Sequence, residues 1–183
     1  LPLAATVLPT SQDDALTGIT LTGGTLSTDA QNVAGSLTLD GPTTLTGDTA
    51  IDTNAALTDA QVQFNSTVDG AADLTVDSGT AAITFNDDIG SVTDLGSGVG
   101  AALALLSTGD TTFNSTVETA SGMTAVGDVT FTENVTLGNG DTASTFNGDV
   151  TLDGLDFVAV DGATFGNNSS VDQVTLSGGP VSV

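Results

Sequence analysis

A short word recurs six times in this chain: VQFNSTV from Val62, ITFNDDI from Ile83, TTFNSTV from Thr111, VTFTENV from Val129, STFNGDV from Ser144 and ATFGNNS from Ala163. A second word, apolar-Thr-apolar followed by Asp or Gly, reads ITLTGG at Ile19, LTLDG at Leu37, LTVDSG at Leu74, VTLGNG at Val135, VTLDG at Val150 and VTLSGG at Val174. Both words alternate apolar and polar residues with period two, the signature of a half-buried strand. Thr, Val, Ile and Phe fit such strands. The Asp-Gly, Asn-Gly, Gly-Gly and Ser-Gly pairs between them supply turn chemistry that permits positive φ. The chain is therefore predicted to be all-β, with at most one turn of helix over Val99 to Leu106.

Short strands at close spacing build either a β-sandwich or a solenoid. Successive starts of the first word lie 21, 28, 18, 15 and 19 residues apart, about the length of one solenoid rung. The recurrence favours a right-handed parallel β-helix; the alternative is a β-sandwich subunit with strand exchange. In the helix, Phe64, Phe85, Phe113, Phe131, Phe146 and Phe165 would form one internal aromatic column. Asn65, Asn86, Asn114 and Asn147 would form an amide ladder at the following corner. About nine rungs at a strand spacing of about 4.8 Å would give a rod on the order of 40 Å long. The long interval after Ile83 reads as a loop bulging from one face, whereas the short one after Val129 fits a strict solenoid poorly. The organisation expected is an N-terminal extension over 1–15, able to act as an inter-subunit strand, and a repetitive β domain over 16–183.

Composition narrows the functions available. The 183 residues include no Lys, Arg or His, and the formal charge is -23. Nucleic-acid binding is excluded, because basic side chains supply most of that affinity. An anionic membrane surface would repel the chain. Self-repulsion of this size calls for mobile counter-ions or bound divalent cations, and Ca2+ suits carboxylate and carbonyl oxygens. Disorder is not expected, since 38 % of residues are hydrophobic and only 13 % are charged. Cysteine is absent, so disulfides and thiolate metal sites are too. No run approaches the roughly twenty apolar residues of a membrane span. The segment from Leu1 to Pro9 lacks a basic region and is broken by Pro2 and Pro9, which reads as a processed end or a cut from a longer chain. Trypsin-like proteases find no cleavage site, a property suited to an exposed extracellular protein.

Several side-chain groups are candidates for chemistry. Asp87, Asp88, Asp141, Asp149, Asp153 and Asp156 are the candidate metal ligands, because adjacent carboxylates in turns repel unless solvated or bridged. Asp13-Asp14 forms a further acidic pair. Gly138-Asn139-Gly140-Asp141 has the form of half a calcium-binding nonapeptide repeat; as a single imperfect copy it also reads as a plain turn. Asn65, Asn114, Asn134, Asn167 and Asn168 begin N-glycosylation triplets. A chain rich in Thr and Ser yields such triplets by chance, and an internal ladder would leave no room for a glycan on Asn65 or Asn114. Without His, Cys, Lys, Tyr or Arg, most nucleophilic and general-base schemes are unavailable. A pair of carboxylates can still hydrolyse glycosides, but the chain has no Trp or Tyr to stack on a sugar. The protein is not expected to be an enzyme.

The tandem arrangement of TFNSTV, DVTFTENVTLG and FNGDVTLDG resembles the β-strand-repeat regions of large bacterial surface proteins, such as filamentous-haemagglutinin-like exoproteins and autotransporter passengers. The likeness runs over roughly Leu37 to Val183. It implies secretion, a parallel β-helix and adhesive or structural work. The chain departs from that pattern in lacking every basic residue.

The expected function is that of a secreted structural subunit or segment of an extracellular filament, sheath or fibrous adhesin. Open β-edges would pair with other copies of the chain, supported by divalent cations. Leu1, Leu3, Val7 and Leu8 are the candidate assembly residues, as an added strand in the next copy. The alternative is a glycan- or surface-binding repeat module of a large adhesin.

Overall fold

A computed structural model describes residues 19–21, 24–27, 29–30, 33–54, 58–138, 142–166, 174–177 and 181–182. The chain winds through three parallel ladders in a fixed order, making a β-solenoid of about six turns consistent with a right-handed parallel β-helix. Right-handed crossovers are the rule for parallel strands. At about 4.8 Å per turn these six turns span roughly 30 Å, fewer turns than the nine expected.

Face A consists of Leu37–Leu39, Val62–Phe64, Ile83–Phe85, Thr111–Phe113, Val129–Phe131, Val150–Asp153 and Val174–Ser177. Face B contains Ile19–Leu21, Thr43–Leu45 and Val68–Asp69, then Val117–Thr119, Val135–Leu137, Phe157–Ala159 and Val181–Ser182. Isolated bridges from Val68 to Ile89 and from Ile89 to Val117 join its two parts. Face C stacks Gly24–Ser27, Thr49–Asp52, Leu74–Asp77, Leu103–Leu105, Met123–Ala125, Ser144–Phe146 and Ala163–Phe165. The one antiparallel pair among the described strands, Asp29–Ala30 with Val33–Ala34, lies apart from these ladders. A sandwich would be built from antiparallel pairs, so that alternative does not describe this chain.

Each short strand points its first and third residues inward and its middle residue out, which is what the period-two words encode. In the turn from Thr111 to Ala125, Phe113, Val117 and Met123 are buried, while Thr112, Glu118 and Thr124 face outward. Like residues stack on like. The rings of Phe64 and Phe85, Phe85 and Phe113, and Phe113 and Phe131 stack with centroids 4.7, 4.9 and 4.9 Å apart and planes nearly parallel. Leu39 and Leu152 continue that column in register at its two ends.

The single column of six phenylalanines expected from the sequence is thus corrected. Phe146 and Phe165 belong to face C, where they stack on each other at 5.3 Å. Phe157 stands on face B and meets Phe131 and Phe146 edge-on, at 6.1 and 6.0 Å. The short step from Val129 to Ser144 is accordingly the passage from face A to face C within one turn. The step that defines a turn runs from one face-A strand to the next, whose first residues are 37, 62, 83, 111, 129, 150 and 174. Turns therefore take from 18 residues (111 to 129) to 28 (83 to 111).

The longest turn makes its excursion after Ile89. Leu95 returns to the core and bridges to Thr119. Val92 and Val99 project, 86 % and 68 % exposed. Gly98 and Gly100 hold φ of +80° with open space around them. At Leu103 the chain rejoins face C, so Val99 to Leu106 forms loop and strand rather than a turn of helix. Elsewhere close stacking requires glycine, and two such positions combine it with positive φ. A Cβ on Gly70 (φ +132°) would lie 2.1 Å from the Leu45 carbonyl oxygen, and one on Gly90 (φ +76°) 2.0 Å from that of Glu118. Corner serines also bond between turns: the Ser78 hydroxyl donates to that of Ser107 at 2.9 Å. No buried side-chain nitrogen or oxygen among the described residues lacks a partner.

Candidate functional site

The polar chemistry of the described residues is concentrated on the outer corners, where each turn must satisfy backbone N–H groups that leave the strand ladders. With no basic side chain in the sequence, the carboxylates meet backbone, hydroxyl and side-chain amide donors instead. Asp48 Oδ1 accepts the N–H of Asp73 at 3.0 Å, and Asp73 Oδ1 accepts that of Ser97 at 2.8 Å. Asp69 Oδ1 takes the N–H of Val92 at 2.8 Å. Asp59 Oδ2 takes both the N–H and the hydroxyl of Thr80, at 2.7 and 2.8 Å. Asp128 Oδ1 takes the N–H of Asp149 at 2.8 Å. In all of these the acceptor belongs to one turn and the donor to the next. The reverse sense occurs where Asn54 Nδ2 donates to Asp77 Oδ2 at 3.3 Å.

Asp88 is the most engaged of the residues singled out by sequence. Its Oδ1 accepts the Ser115 hydroxyl, and the Thr116 hydroxyl and N–H at 2.8 and 3.2 Å, all from the turn above. The Ser115 hydroxyl first, then that of Thr116, hold the Asp88 carboxyl below its ordinary value of 3.8 by stabilising its charged form, against a smaller opposing effect of burial. The neighbouring Asp87 Oδ1 accepts the N–H of Asp88 at 3.0 Å.

The remaining candidate ligands are not gathered into one centre. Asp149 precedes the face-A strand Val150–Asp153 at the corner with face C, whereas Asp156 precedes Phe157 at the corner with face B. Asp156 donates its N–H to Asn134 Oδ1 at 3.0 Å. Asp153 ends its strand in register with Ser177, and Asp141 lies outside the described residues. Among the described residues no group of three or more carboxylates is placed to hold a metal ion. Leu1, Leu3, Val7 and Leu8 also lie outside the described residues, as do Asp13, Asp14, Asn139, Gly140, Asn167 and Asn168.

The amide ladder exists, in part and on the outside. Asn86 Nδ2 donates to Asn65 Oδ1 at 2.8 Å and Asn114 Nδ2 to Asn86 Oδ1 at 2.9 Å, while Asn65 Nδ2 ends the run on Asp40 Oδ1 at 2.6 Å. Two corrections follow. The ladder is exposed rather than internal, so what occupies Asn65 and Asn114 is hydrogen bonding, not burial. Asn147 is not its fourth member, because it follows face C instead of face A, and its N–H bonds to Ala125 O at 2.9 Å. Beside the ladder runs an outward column of Thr38, Gln63, Thr84, Thr112, Thr130 and Thr151. The hydroxyls of its threonines are half-buried and make no hydrogen bond among the described residues.

Sequence reasoning missed the clamping carboxylates Asp48, Asp59, Asp69, Asp73 and Asp128. A signal was present: Asp48 and Asp73 each stand immediately before a face-C strand, 25 residues apart, one turn of the solenoid. None of the described residues forms a helix, so none of them makes a helix long and apolar enough to cross a membrane. No family model, curated protein or solved structure matches this chain.

Proposed function

We propose that this chain is a secreted structural subunit or segment of an extracellular filament, sheath or fibrous adhesin. The observation that carries the reading is that its cohesion is directed along one axis: the face ladders, the ring column and nearly all the carboxylate clamps join one turn to the next. A body held this way is quasi-one-dimensional, and its stability comes from stacking. Edge strands such as Leu37–Leu39 and Ala163–Phe165 have a ladder partner on one side only among the described residues. Their matching alternation favours pairing with another copy end to end, a contact that propagates when it does not close. Divalent cations such as Ca2+, shared between corner carboxylates of neighbouring copies, would screen the net charge of -23.

A glycan- or surface-binding role is the second reading, favoured by the column of uncommitted threonine hydroxyls beside the asparagine ladder on face A. Electron microscopy of the purified chain, with calcium and with a chelator, separates the two. Fibres that dissociate on chelation are the outcome expected of a cation-supported structural polymer. Single short rods in both conditions would overturn it and leave the binding module.

A further inference from the structure

We infer that Asn147 is a site of spontaneous deamidation and isoaspartate formation. The reaction is intramolecular. The backbone nitrogen of the following residue loses its proton and attacks the asparagine Cγ, a five-membered succinimide closes, and the side-chain nitrogen leaves as ammonia. Water then opens the ring at either carbonyl, giving aspartate or isoaspartate. Three conditions favour it: a following residue without a Cβ, an attacking N–H that is not hydrogen-bonded, and a side-chain amide free to rotate.

Asn147 meets all three. It is followed by Gly148. Neither the side-chain amide of Asn147 nor the Gly148 N–H makes a hydrogen bond among the described residues. The other described asparagines are engaged: Asn54 on Asp77, Asn65 on Asp40, Asn86 on Asn65, Asn114 on Asn86, and Asn134 with the N–H of Asp156. Each is also followed by a residue that carries a side chain. The four aspartyl-glycyl steps, at Gly41, Gly70, Gly154 and Gly162, offer an ionised carboxylate, a far poorer electrophile than an amide, and the N–H groups of Gly70 and Gly162 are in addition bonded to Thr93 O and Ala159 O.

The fold itself keeps the labile pair in place. A Cβ on Gly148 would lie 2.6 Å from Asp128 Oδ1 and 2.6 Å from the Gly127 carbonyl carbon of the turn below. Close stacking at this corner therefore demands glycine, and so retains the residue that permits the ring to close. The product would matter locally. Isoaspartate adds a backbone carbon between two inter-turn bonds, Asn147 N–H to Ala125 O at 2.9 Å and Asp149 N–H to Asp128 Oδ1 at 2.8 Å. Either product also sets a new carboxylate near those of Asp128 and Asp149.

The test is to hold the purified full chain at mildly alkaline pH, where the attacking amide is deprotonated more often. Isoaspartate is then labelled with a protein isoaspartyl methyltransferase, and the site is mapped by mass spectrometry after digestion with a chymotrypsin-type protease. The label is expected at residue 147 before Asn65, Asn86 or Asn114, increasing with pH and absent from the Asn147→Gln chain. Equal labelling of those ladder asparagines, labelling confined to Asn139, or no conversion while the free peptide STFNGDV converts, would each overturn the assignment. The wild-type map decides the matter even if the variant folds poorly.

Discussion

Phe85 lies flat on Phe64, with ring centroids 4.7 Å apart and planes 7° from parallel, although a full turn of chain separates the two residues. Phe113 covers its other side at 4.9 Å. A ring enclosed in this way contributes both buried area and face-to-face contact to two turns at once.

Replacing Phe85 with alanine removes a fully buried ring and leaves a cavity in the middle of the column. The expected loss is about 3–5 kcal/mol. Phe165, at the end of its stack and only half-buried, should cost clearly less when truncated. Paired urea melts followed by far-ultraviolet circular dichroism measure the difference; equal losses would contradict the enclosed column.

The carboxyl of Asp88 titrates lower in the folded chain than its ordinary value of 3.8. Its hydrogen bonds therefore stabilise the fold fully above that pH, and the contribution disappears as pH falls through the lower folded-state value. Asp88→Ala is expected to lose about 1 kcal/mol at neutral pH, below the ~1.5–3 kcal/mol of hydrogen bonds to charged groups because the group is partly solvated. The gap between wild-type and variant melting curves should shrink in acid. A gap that stays constant from neutral pH to pH 2 would refute the charged interaction.

Glycine substitutions should sort by what lies above them. Gly70→Ala pushes a Cβ to 2.1 Å from the Leu45 carbonyl oxygen, and a loss of about 3 kcal/mol or more is expected from left-handed strain together with backbone displacement. Gly98→Ala has the strain without the collision, at about 1–2 kcal/mol. Thermal melting of the two variants should rank them in that order.

Uncompensated charge of -23 should make stability strongly dependent on salt. Raising sodium chloride from about 20 mM to about 200 mM shortens the screening length severalfold, and the melting temperature is expected to rise. Calcium chloride at matched ionic strength separates screening from binding. A larger rise with calcium supports bound ions, and an equal rise means that the cations act only as a diffuse atmosphere.

How much of this was legible beforehand follows from what a strand word can encode. VTL at Val135 and VTL at Val150 specify the same inward-outward-inward alternation, yet one lies on face B and the other on face A. Alternation tells which residues are buried, so the solenoid and its core positions could be read directly. Assigning a strand to a face requires counting corners, and the corners vary in length; this is why the words alone put Phe146, Phe165 and Asn147 in the wrong columns. For the site, Asp87 and Asp88 were recognisable as crowded turn carboxylates. Their neighbours Ser115 and Thr116 are supplied by the next turn, and no local pattern links residues so far apart in sequence.

The excursion within the 28-residue turn from 83 to 111 leaves the stacking of Phe85 on Phe113 undisturbed. Rungs communicate through their strands, whereas their length is absorbed at the corners, and around Gly98 and Gly100 nothing presses on the chain. Such a scaffold is evolvable one corner at a time: residues can be added to the projecting loop and acquire new surface chemistry, while the wall behind them keeps the same architecture.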